Sequence, residues 1–600
     1  MILVDLIWEL RALVAVIALS LLAPNTGRAV ARALARPFRK LATHRRASIV
    51  SVGLLSLTIT ATVGILAGWP KPYIHDEFAY ALTADTFAHG RVTNPTHPMS
   101  DHFETYHILQ KPSYQAKYPP AQGLILALGQ VLAGRQIVGV WLSVAAGCAA
   151  VCWMLQSWLP PRWALFGGIL AAVHPTVIIW WGENYWGGAV AMIGGALLYG
   201  ALPRIRKQLR VRDAVVCGLG LVILANSRPY EGLAVSIPAA VVLLVWLVRD
   251  RNSSLSARVA RSVIPITLTL AIGACGTGYY NYRVTGNALR LPYREWLTQY
   301  FPQASMSTVL WKNAKTTPAD EGVTEARSGF HPKFELWSLP AGSQSSDLSG
   351  GWRSPGLYEK LAKHHIYFFR AAFALTIFAV PLLLGRRDVR LAVVAYAAVA
   401  SAVLLNACAG HAHYYAPGTA LLILLFVQGT RRLRIAKIGR LRWGLTVAMS
   451  LLPLTVGASW YFVEGWMKSP VPPGYEWVNE RERITEQLTA AGGRHLVLVQ
   501  YRHGHDISLE WVYNEADLDN SAILWARPIS PERTQELAAY YADRTVWLLD
   551  ADAVSPQLTA YREGTSPKSE GPLDEKVPSD ESMGPFETEV TSLLTTGGKP

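Results

Sequence analysis

Residues 48–69, SIVSVGLLSLTITATVGILAGW, and residues 75–78, HDEF, decide the fold of this chain. The first stretch carries no charged side chain, and about 20 apolar residues are enough to cross a bilayer. The second stretch places two adjacent carboxylates, Asp76 and Glu77, where the chain leaves the membrane. Charged groups are costly at that position unless they serve a function. The two stretches therefore predict a membrane protein that uses a carboxylate just outside the bilayer.

Composition supports an integral membrane protein. The 600 residues are 51% hydrophobic and only 16% charged, which is far less charge than a soluble chain of this length carries. The net charge of +14 comes from short basic clusters between apolar runs, and these read as topology signals. Because no soluble basic domain with interleaved aromatics is present, nucleic acid is excluded as a partner. All five cysteines lie in apolar segments, which argues against disulfides and thiolate metal sites.

The apolar runs predict about 11–12 transmembrane helices. Basic clusters at 28–46, 204–212, 249–261, 386–390 and 431–442 mark the cytoplasmic side. The loops between the other span ends then lie outside, and the longest are 70–135 and 282–365. The predicted spans are 48–69, 136–158, 163–181, 187–202, 211–226, 231–248, 262–281, 366–384, 389–408, 414–429 and 441–463.

Two apolar segments do not fit the simple pattern. Residues 121–133 are too short to cross the bilayer comfortably, and counting them as a span would put the 204–212 cluster on the wrong face. They are predicted to form a re-entrant or interfacial helix within the first outer loop. Residues 3–22 are interrupted by charges and lack the features of a signal peptide, so an extra span is favoured over a surface helix.

The fold class is a polytopic α-helical membrane protein with a large first outer loop and a small C-terminal α/β soluble module. Short buried strands are predicted at 495–500, 522–525 and 545–549, with a helix at 531–541. The predicted domains are an N-terminal apolar segment and basic stretch (1–47), a transmembrane domain (48–463), a periplasmic α/β module (464–552) and a disordered tail (553–600) rich in Pro, Ser, Gly and Glu.

The first outer loop carries acids near its start and a lysine near its end. If the loop folds back on itself, Lys117 faces Asp76 and Glu77 across a cleft at the membrane surface. The alternative is a solvated loop whose charges only keep it out of the lipid.

At these residues the chain resembles the GT-C glycosyltransferases. HDEFAYALTADTFAHGRVTNPTHPM (75–99) and YQAKYPPAQGL (114–124) are similar to bacterial proteins of the dolichyl-phosphate-mannose–protein mannosyltransferase type, and the layout is similar to the aminoarabinose transferases that modify lipid A. The match covers residues 73–186. The chain departs from the oligosaccharyltransferase branch because Trp-Trp-Gly-Glu-Asn at 180–184 replaces Trp-Trp-Asp-Tyr-Gly.

The resemblance implies an enzyme that takes a sugar from a polyprenyl-phosphate donor. Asp76 is then the first candidate for the base that activates the acceptor, and Glu77 the second. Lys117 is the candidate contact for the lipid-linked phosphate. A cation that stabilises the leaving phosphate and a carboxylate that accepts the acceptor proton suit this chemistry on physical grounds as well.

Further substrate-binding candidates lie in the outer loops and turns. Arg228 breaks the positive-inside trend, so it pairs either with the donor phosphate or with Glu231. His411 and His413 are candidates for phosphate or a divalent metal, but alternate histidines with no nearby acid are weak metal ligands, so no metal or other cofactor is assigned. His503, His505 and Asp506 are interpreted as loop residues at a strand end. The remaining candidates are Arg91, Glu104, Tyr118 and Glu183.

Two other classes of function compete with the transferase. A lipid-linked sugar flippase or transporter usually has charged groups in mid-span and internal repeats, whereas the ionisable residues here gather at the outer edges. A scaffold without activity would leave the carboxylate pair and the lysine without a role. The acceptor, whether protein, lipid or glycan, is not specified by any motif. A bacterial inner membrane with the active face in the periplasm is the predicted location.

Overall fold

The structure, a computed structural model, describes residues 36–300, 357–368, 379–406, 410–437, 443–472, 474–502, 505–506 and 509–562, with residues 11, 14, 18, 373, 376 and 377. Several predicted segments therefore lie wholly or partly outside the described residues: most of the N-terminal span at 3–22, residues 369–372, 374, 375 and 378 of the span at 366–384, residues 301–356 of the large outer loop, His503, and the tail beyond residue 562.

Helices form most of the described chain. In chain order the principal helices are α1 Arg45–Leu66, α2 His75–Ala88, α3 Pro120–Ala133, α4 Gln136–Trp158, α5 Pro161–Ala172, α6 Gly188–Gln208, α7 Val211–Ala225, α8 Pro229–Arg249, α9 Ile264–Thr285, α10 Pro292–Tyr300, α11 Leu357–Phe368, α12 Arg387–Leu405, α13 Ala416–Leu433, α14 Trp443–Lys468, α15 Trp477–Ala491 and α16 Pro531–Tyr540.

The protein is a polytopic α-helical membrane protein, as the sequence predicts. In the part of the chain that the structure describes, seven helices are long and apolar enough to cross a membrane: α1, α4, α6, α8, Leu255–Thr285 (which includes α9), α12, and Val447–Lys468 within α14. The predicted spans at 163–181, 211–226 and 414–429 correspond to the shorter helices α5, α7 and α13, of 12, 15 and 18 residues. The 14-residue α3 occupies the segment predicted to be re-entrant or interfacial.

The chain divides into two compact units. The helical unit comprises Met1–Lys71, Pro120–Thr277 and Ser354–Pro470, and the mixed unit comprises Pro72–Pro119, Gly278–Arg353 and Val471–Pro600. The mixed unit therefore draws on three separate parts of the sequence. Each unit is described separately below.

Glycines allow close helix packing in the helical unit. A Cβ atom on Gly129 of α3 would lie 2.1 Å from the backbone nitrogen of Gly139 in α4, and one on Gly139 would lie 2.0 Å from the carbonyl oxygen of Ile125. Real Cβ contacts do not occur at such distances, so these positions require glycine. Small residues at helix interfaces are typical of membrane proteins. The hydrophobic effect does not drive helices together within lipid, so they associate through the close van der Waals packing that small residues allow.

The mixed unit contains two sheets. β1 Ile108–Leu109 and β2 Gln115–Ala116 form a small antiparallel pair. β3 His495–Gln500, β4 Ile523–Ala526, β5 Thr545–Asp550 and β6 Leu558–Ala560 form a second sheet in the order β4-β3-β5-β6, in which only β6 is antiparallel. The predicted strands and the helix α16 are confirmed to within about a residue. β6 lies within the segment that the sequence predicts to be a disordered tail. A strand of three residues is too short to show the residue pattern from which strands are predicted.

One core joins the first loop to the C-terminal strands. Leu82 of α2 and Ile108 of β1 belong to the same buried cluster as Leu496 of β3 and Leu524 of β4. A second buried cluster, built around Trp477 and the other face of the sheet, packs against residues at the start of α2. Burial of this apolar surface is the main stabilising contribution available to the unit. The start of α2 is therefore held in place by elements from the far end of the chain.

Candidate active site

Asp76 lies in the first turn of α2, close to two histidines. Nε2 of His75 is 3.5 Å from Oδ2 of Asp76, and Nε2 of His107 is 3.5 Å from Oδ1. The Asp76 side chain is 29% exposed, whereas both histidines are buried. The unpaired N–H groups and the dipole of a helix N-terminus favour a carboxylate at this position. Asp76 is thus the accessible member of an otherwise buried group.

Tyr118 connects the Lys-Tyr-Pro-Pro segment to this carboxylate. Its hydroxyl donates a hydrogen bond to Oδ1 of Asp76. Its ring stacks on that of Tyr80, one turn further along α2, with centroids 4.6 Å apart. Its backbone carbonyl accepts a hydrogen bond from the hydroxyl of Tyr280 at 3.1 Å. Because Tyr118 is itself held in this way, it fixes the orientation of the carboxylate.

Lys117 is buried among aromatic rings. Its Nζ lies 3.5 Å from the ring centroid of Trp296 and 4.8 Å from that of Tyr293, both on α10. The rings of Tyr118 and Tyr106 follow at 5.4 and 5.7 Å. A cation over aromatic faces is attracted by their quadrupoles, and the attraction is strongest where water is excluded. The aromatic rings around Lys117 therefore favour the positively charged form of its side chain.

The surroundings lower the pKa of both histidines. Burial lowers the pKa of His75 and of His107, and the positive charge of Lys117 lowers both further. The charge of Asp76 opposes this effect at His75. His107 also adopts a left-handed backbone conformation, with φ of 68°, which costs free energy for a residue that is not glycine. Strained residues of this kind are concentrated at functional sites.

The C-terminal part of the mixed unit contributes to the surroundings of Asp76. Phe78 stacks on Tyr513 with centroids 4.5 Å apart and planes at 6°. Burial raises the pKa of Tyr513, and the charge of Asp76 adds to that effect. The charge of Asp506 in turn raises the pKa of His75, against the larger effect of burial. Tyr513 and Asp506, more than 400 positions further along the sequence, therefore belong to the surroundings of Asp76 and His75.

Glu77, the second predicted base, has a different environment from Asp76. Its side chain is buried, and its Oε2 accepts a hydrogen bond from the backbone N–H of Tyr73 at 2.9 Å. This contact closes the turn that leads into α2, since it pairs a backbone group just before the helix begins. The geometry therefore favours a structural contribution from Glu77 and leaves Asp76 as the accessible carboxylate.

Arg91 and Glu104 contact other parts of the mixed unit. The carboxylate of Glu104 accepts a hydrogen bond from the hydroxyl of Tyr300, and its backbone carbonyl accepts one from Nε of Arg527 at 3.0 Å. A hydrogen bond from Asn520 and, more weakly, the charge of Arg91 lower the pKa of Asp517. Glu104 thus helps to join the first loop to the C-terminal segment, and Arg91 acts on that segment through its charge.

In the helical unit, three predicted site residues come together around Trp186. Its ring centroid is 5.0 Å from that of His411 and 4.8 Å from that of His413. Nη2 of Arg228 donates a hydrogen bond to the carbonyl oxygen of Trp186 at 3.2 Å, and its guanidinium lies 4.9 Å from the ring of Tyr414. Burial lowers the pKa of both histidines, and the charge of Arg228 adds to this. Arg228 therefore supplies the positive charge of this cluster.

Glu183 occupies a separate position in the helical unit. It is buried, and a Cβ atom on Gly64 of α1 would lie 2.6 Å from its Oε2 and from the ring of Trp141 in α4. Glycine at position 64 is therefore what makes room for this carboxylate.

Several members of the Asp76 group have no role that the sequence predicts: Tyr106, His107, Tyr293 and Trp296. Two weak sequence signals were available. Tyr106 and His107 are adjacent rings in the first outer loop, and the Tyr293-x-x-Trp296 spacing puts two rings on one face of a helix.

A divalent metal fits the Asp76 group better than the histidines considered from sequence. Within the described residues, His75, Asp76 and His107 each offer a ligand atom, and these atoms lie within 4.8 Å of one another. Two imidazoles and a carboxylate are a ligand set that proteins use for zinc and related ions. His411 and His413 lie instead beside Arg228, whose charge disfavours a cation.

Comparison with known proteins gives structural matches only. Neither protein families nor curated protein sequences produce a match. ArnT from Cupriavidus metallidurans, solved with undecaprenyl phosphate, is 12% identical, with a TM-score of 0.49 over 85% of this chain and 92% of ArnT. The oligosaccharyltransferase AglB from Archaeoglobus fulgidus, solved with an inhibitory peptide and a dolichol-phosphate, is 11% identical, with a TM-score of 0.45 over 84% of this chain and 69% of AglB. Both are GT-C proteins, the superfamily that the sequence resembles.

Proposed function

We propose that the protein is a glycosyltransferase that moves a sugar from a polyprenyl-phosphate donor to an acceptor at the outer face of the membrane. The observation that carries the proposal is the arrangement around Asp76: an accessible carboxylate at a helix N-terminus, oriented by Tyr118, with a buried lysine whose charge acts on both neighbouring histidines. This arrangement supports a base and a cation that act in one site.

In the proposed reaction, Asp76 takes the proton from a hydroxyl or amine of the acceptor. The acceptor atom attacks the anomeric carbon, the bond from that carbon to the phosphate oxygen breaks, and the lipid phosphate leaves with the bonding electrons. Attack opposite the leaving phosphate inverts the configuration. General-base assistance of this kind contributes about 10²–10⁴-fold to the rate.

Lys117 is proposed to stabilise the charge on the departing phosphate. A preorganised cation in a site that excludes water acts more strongly than one in solution. The charged cluster formed by Arg228, His411 and His413 in the helical unit is proposed as a further contact for anionic parts of the donor. We also propose a bacterial inner membrane as the location, and the basic clusters in the sequence support the outer, periplasmic side as the one on which transfer occurs.

The test compares wild type with Asp76→Asn in nanodiscs. Purified protein is incubated with a panel of polyprenyl-phosphate sugars, mannose included, and with cell-envelope extract, and released polyprenyl phosphate is measured. We expect release by wild type and a loss of about 10²–10⁴-fold in Asp76→Asn, since the base is removed but the hydrogen bond from Tyr118 is retained.

Asp101→Asn is the matched control. Asp101 is a carboxylate of the same loop that pairs with Lys111 at 3.8 Å and Arg533 at 3.5 Å, so its loss should leave turnover intact. Normal turnover by Asp76→Asn would remove Asp76 from the role of base. Absence of turnover by wild type, with movement of the lipid-linked sugar across the bilayer of vesicles, would establish the flippase instead.

A further inference from the structure

Arginines from separate parts of the helical unit gather around one tryptophan. Trp163 lies in the first turn of α5, and the guanidinium carbons of Arg431 and Arg434 lie 6.0 and 5.5 Å from the centroid of its ring. These distances are within the range at which a cation is attracted by an aromatic face. The charge of Arg386, which directly precedes α12, also acts on Arg431. The ends of three helices therefore bring three cations together.

The carboxylate beside these arginines already has its partners. Asp388 accepts hydrogen bonds from Nε and Nη2 of Arg386 at 3.2 and 2.8 Å, and a third from Nε2 of Gln428 at 2.8 Å. In the part of the chain that the structure describes, no carboxylate forms an ion pair with Arg431 or Arg434. Positive charges this close repel one another, so the group favours an anion that lies between them.

Hydrogen bonds hold the guanidinium of Arg431 in place. Its Nη1 donates to Oε1 of the buried Gln428 at 2.9 Å, and Gln428 in turn donates to Asp388. A guanidinium presents its N–H groups in a planar fork that matches the oxygens of a phosphate. A fork that is already oriented loses less conformational entropy when it binds. The arrangement therefore suits a phosphate group.

Exposed apolar residues border the cations. Leu382 and Leu384, shortly before Arg386, are 69% and 41% exposed. Ile435, directly after Arg434, is 57% exposed. Side chains of this kind are stabilised by contact with acyl chains and not by contact with water, and tryptophan is enriched where membrane helices meet the headgroups. The combination indicates a phosphate that belongs to a lipid and not a free phosphate ion.

We propose that Trp163, Arg386, Arg431 and Arg434 form a binding site for the headgroup of an anionic phospholipid. The guanidiniums of Arg431 and Arg434 donate hydrogen bonds to the phosphate oxygens, and the acyl chains lie along the exposed leucines and Ile435. The arginines belong to basic clusters that predict the cytoplasmic side, so the lipid is one of the inner leaflet. Basic pockets between membrane helices on that side bind such headgroups. The site does not depend on the proposed glycosyl transfer.

The experiment measures phospholipid binding by native mass spectrometry. Full-length protein in a non-ionic detergent is titrated with phosphatidylglycerol, which is anionic, and separately with zwitterionic phosphatidylcholine. We expect saturation at one phosphatidylglycerol per chain and binding of phosphatidylcholine at least about tenfold weaker. Arg431→Gln/Arg434→Gln removes two charge-assisted contacts to the phosphate and should weaken phosphatidylglycerol binding by at least about 100-fold. Arg434→Gln alone leaves the contact between Arg431 and Gln428 intact and should weaken it by about tenfold.

Arg206→Gln/Lys207→Gln is the matched control, because it removes two exposed cations from the last turn of α6 and changes the net charge equally. It should bind phosphatidylglycerol as wild type does. Thermal unfolding without added lipid verifies that each variant is folded. No saturable binding by wild type, unchanged binding by the folded Arg434→Gln variant, or an equal loss in the control would overturn the proposal. Displacement of the lipid by inorganic phosphate at a comparable concentration would identify a small-anion site and would also overturn it.

Discussion

Replacing Lys117 with methionine separates donor binding from folding. The substitution keeps an unbranched side chain within the rings of Trp296 and its neighbours but removes the charge. A hydrogen bond to a charged group contributes about 1.5–3 kcal/mol, and each 1.4 kcal/mol is a factor of ten. If Lys117 contacts the donor phosphate, Lys117→Met should therefore raise the KM for the donor by about 10–150-fold and leave the KM for the acceptor nearly unchanged.

The same substitution should have little effect on stability. The attraction between the Lys117 ammonium and the Trp296 ring, 3.5 Å away, contributes about 2 kcal/mol in a desolvated setting. The lost attraction is offset because a buried charge no longer has to be desolvated and because a thioether packs well on aromatic rings. We expect the free energy of unfolding to change by less than about 1 kcal/mol, or the melting temperature by less than about 4 °C.

The assay is steady-state turnover in nanodiscs with donor and acceptor varied separately, accompanied by thermal unfolding. Lys111→Met is the matched control, because Lys111 belongs to the same loop but is 61% exposed and pairs with Asp101. It should behave as wild type in both measurements. Equal losses for donor and acceptor, or a large fall in melting temperature in Lys117→Met, would refute the assignment and make the lysine a structural cation.

Two further substitutions test the structural roles of individual residues. Glu77→Ala removes the acceptor of the Tyr73 backbone N–H and should cost about 1–3 kcal/mol of stability without changing turnover per folded molecule. A large loss of turnover at an unchanged melting temperature would instead make Glu77 catalytic. Gly139→Ala brings a methyl group against the carbonyl of Ile125 and should cost about 1–3 kcal/mol by overpacking, as measured by thermal unfolding. Gly276→Ala, where no atom lies within 4 Å of the added Cβ, should have no such effect, and equal melting temperatures for the two variants would contradict the close packing of the helices.

The sequence was sufficient for the features that depend on local pattern. Long runs without charge predict membrane helices because the bilayer requires a fixed apolar length, and the structure has helices at these positions. The C-terminal strands were predictable because each is a short, continuous apolar run, such as HLVLVQ at 495–500. Asp76 stood out because a carboxylate at a membrane boundary is unusual, although its catalytic role stays a prediction.

The rest depends on contacts between distant parts of the chain. Nothing near His107 in the sequence indicates that its ring lies beside Asp76, since the intervening 30 residues run along α2 and return through a loop to the start of that helix. The ring of Trp296 over Lys117 likewise brings together residues that are separated in sequence by the seven helices α3 to α9. Hydrophobic periodicity is read within one helix or strand. It therefore identifies neither His107 as the neighbour of Asp76 nor Trp296 as the neighbour of Lys117. Burial of Glu77 also depends on such contacts.

The shared core of the mixed unit has a consequence for biosynthesis. Ala516 donates its backbone N–H to Asp85 of α2 across 431 residues of sequence, and the hydroxyl of Tyr114 reaches the carbonyl of Asn514 across 400. At a translation rate of about 5–20 residues per second, α2 is made roughly 20–80 s before its packing partners. During that interval its apolar face is exposed, which is the condition under which chaperones bind nascent chains. A ribosome that stops before residue 471 would therefore release a chain with inserted helices but an incomplete site around Asp76.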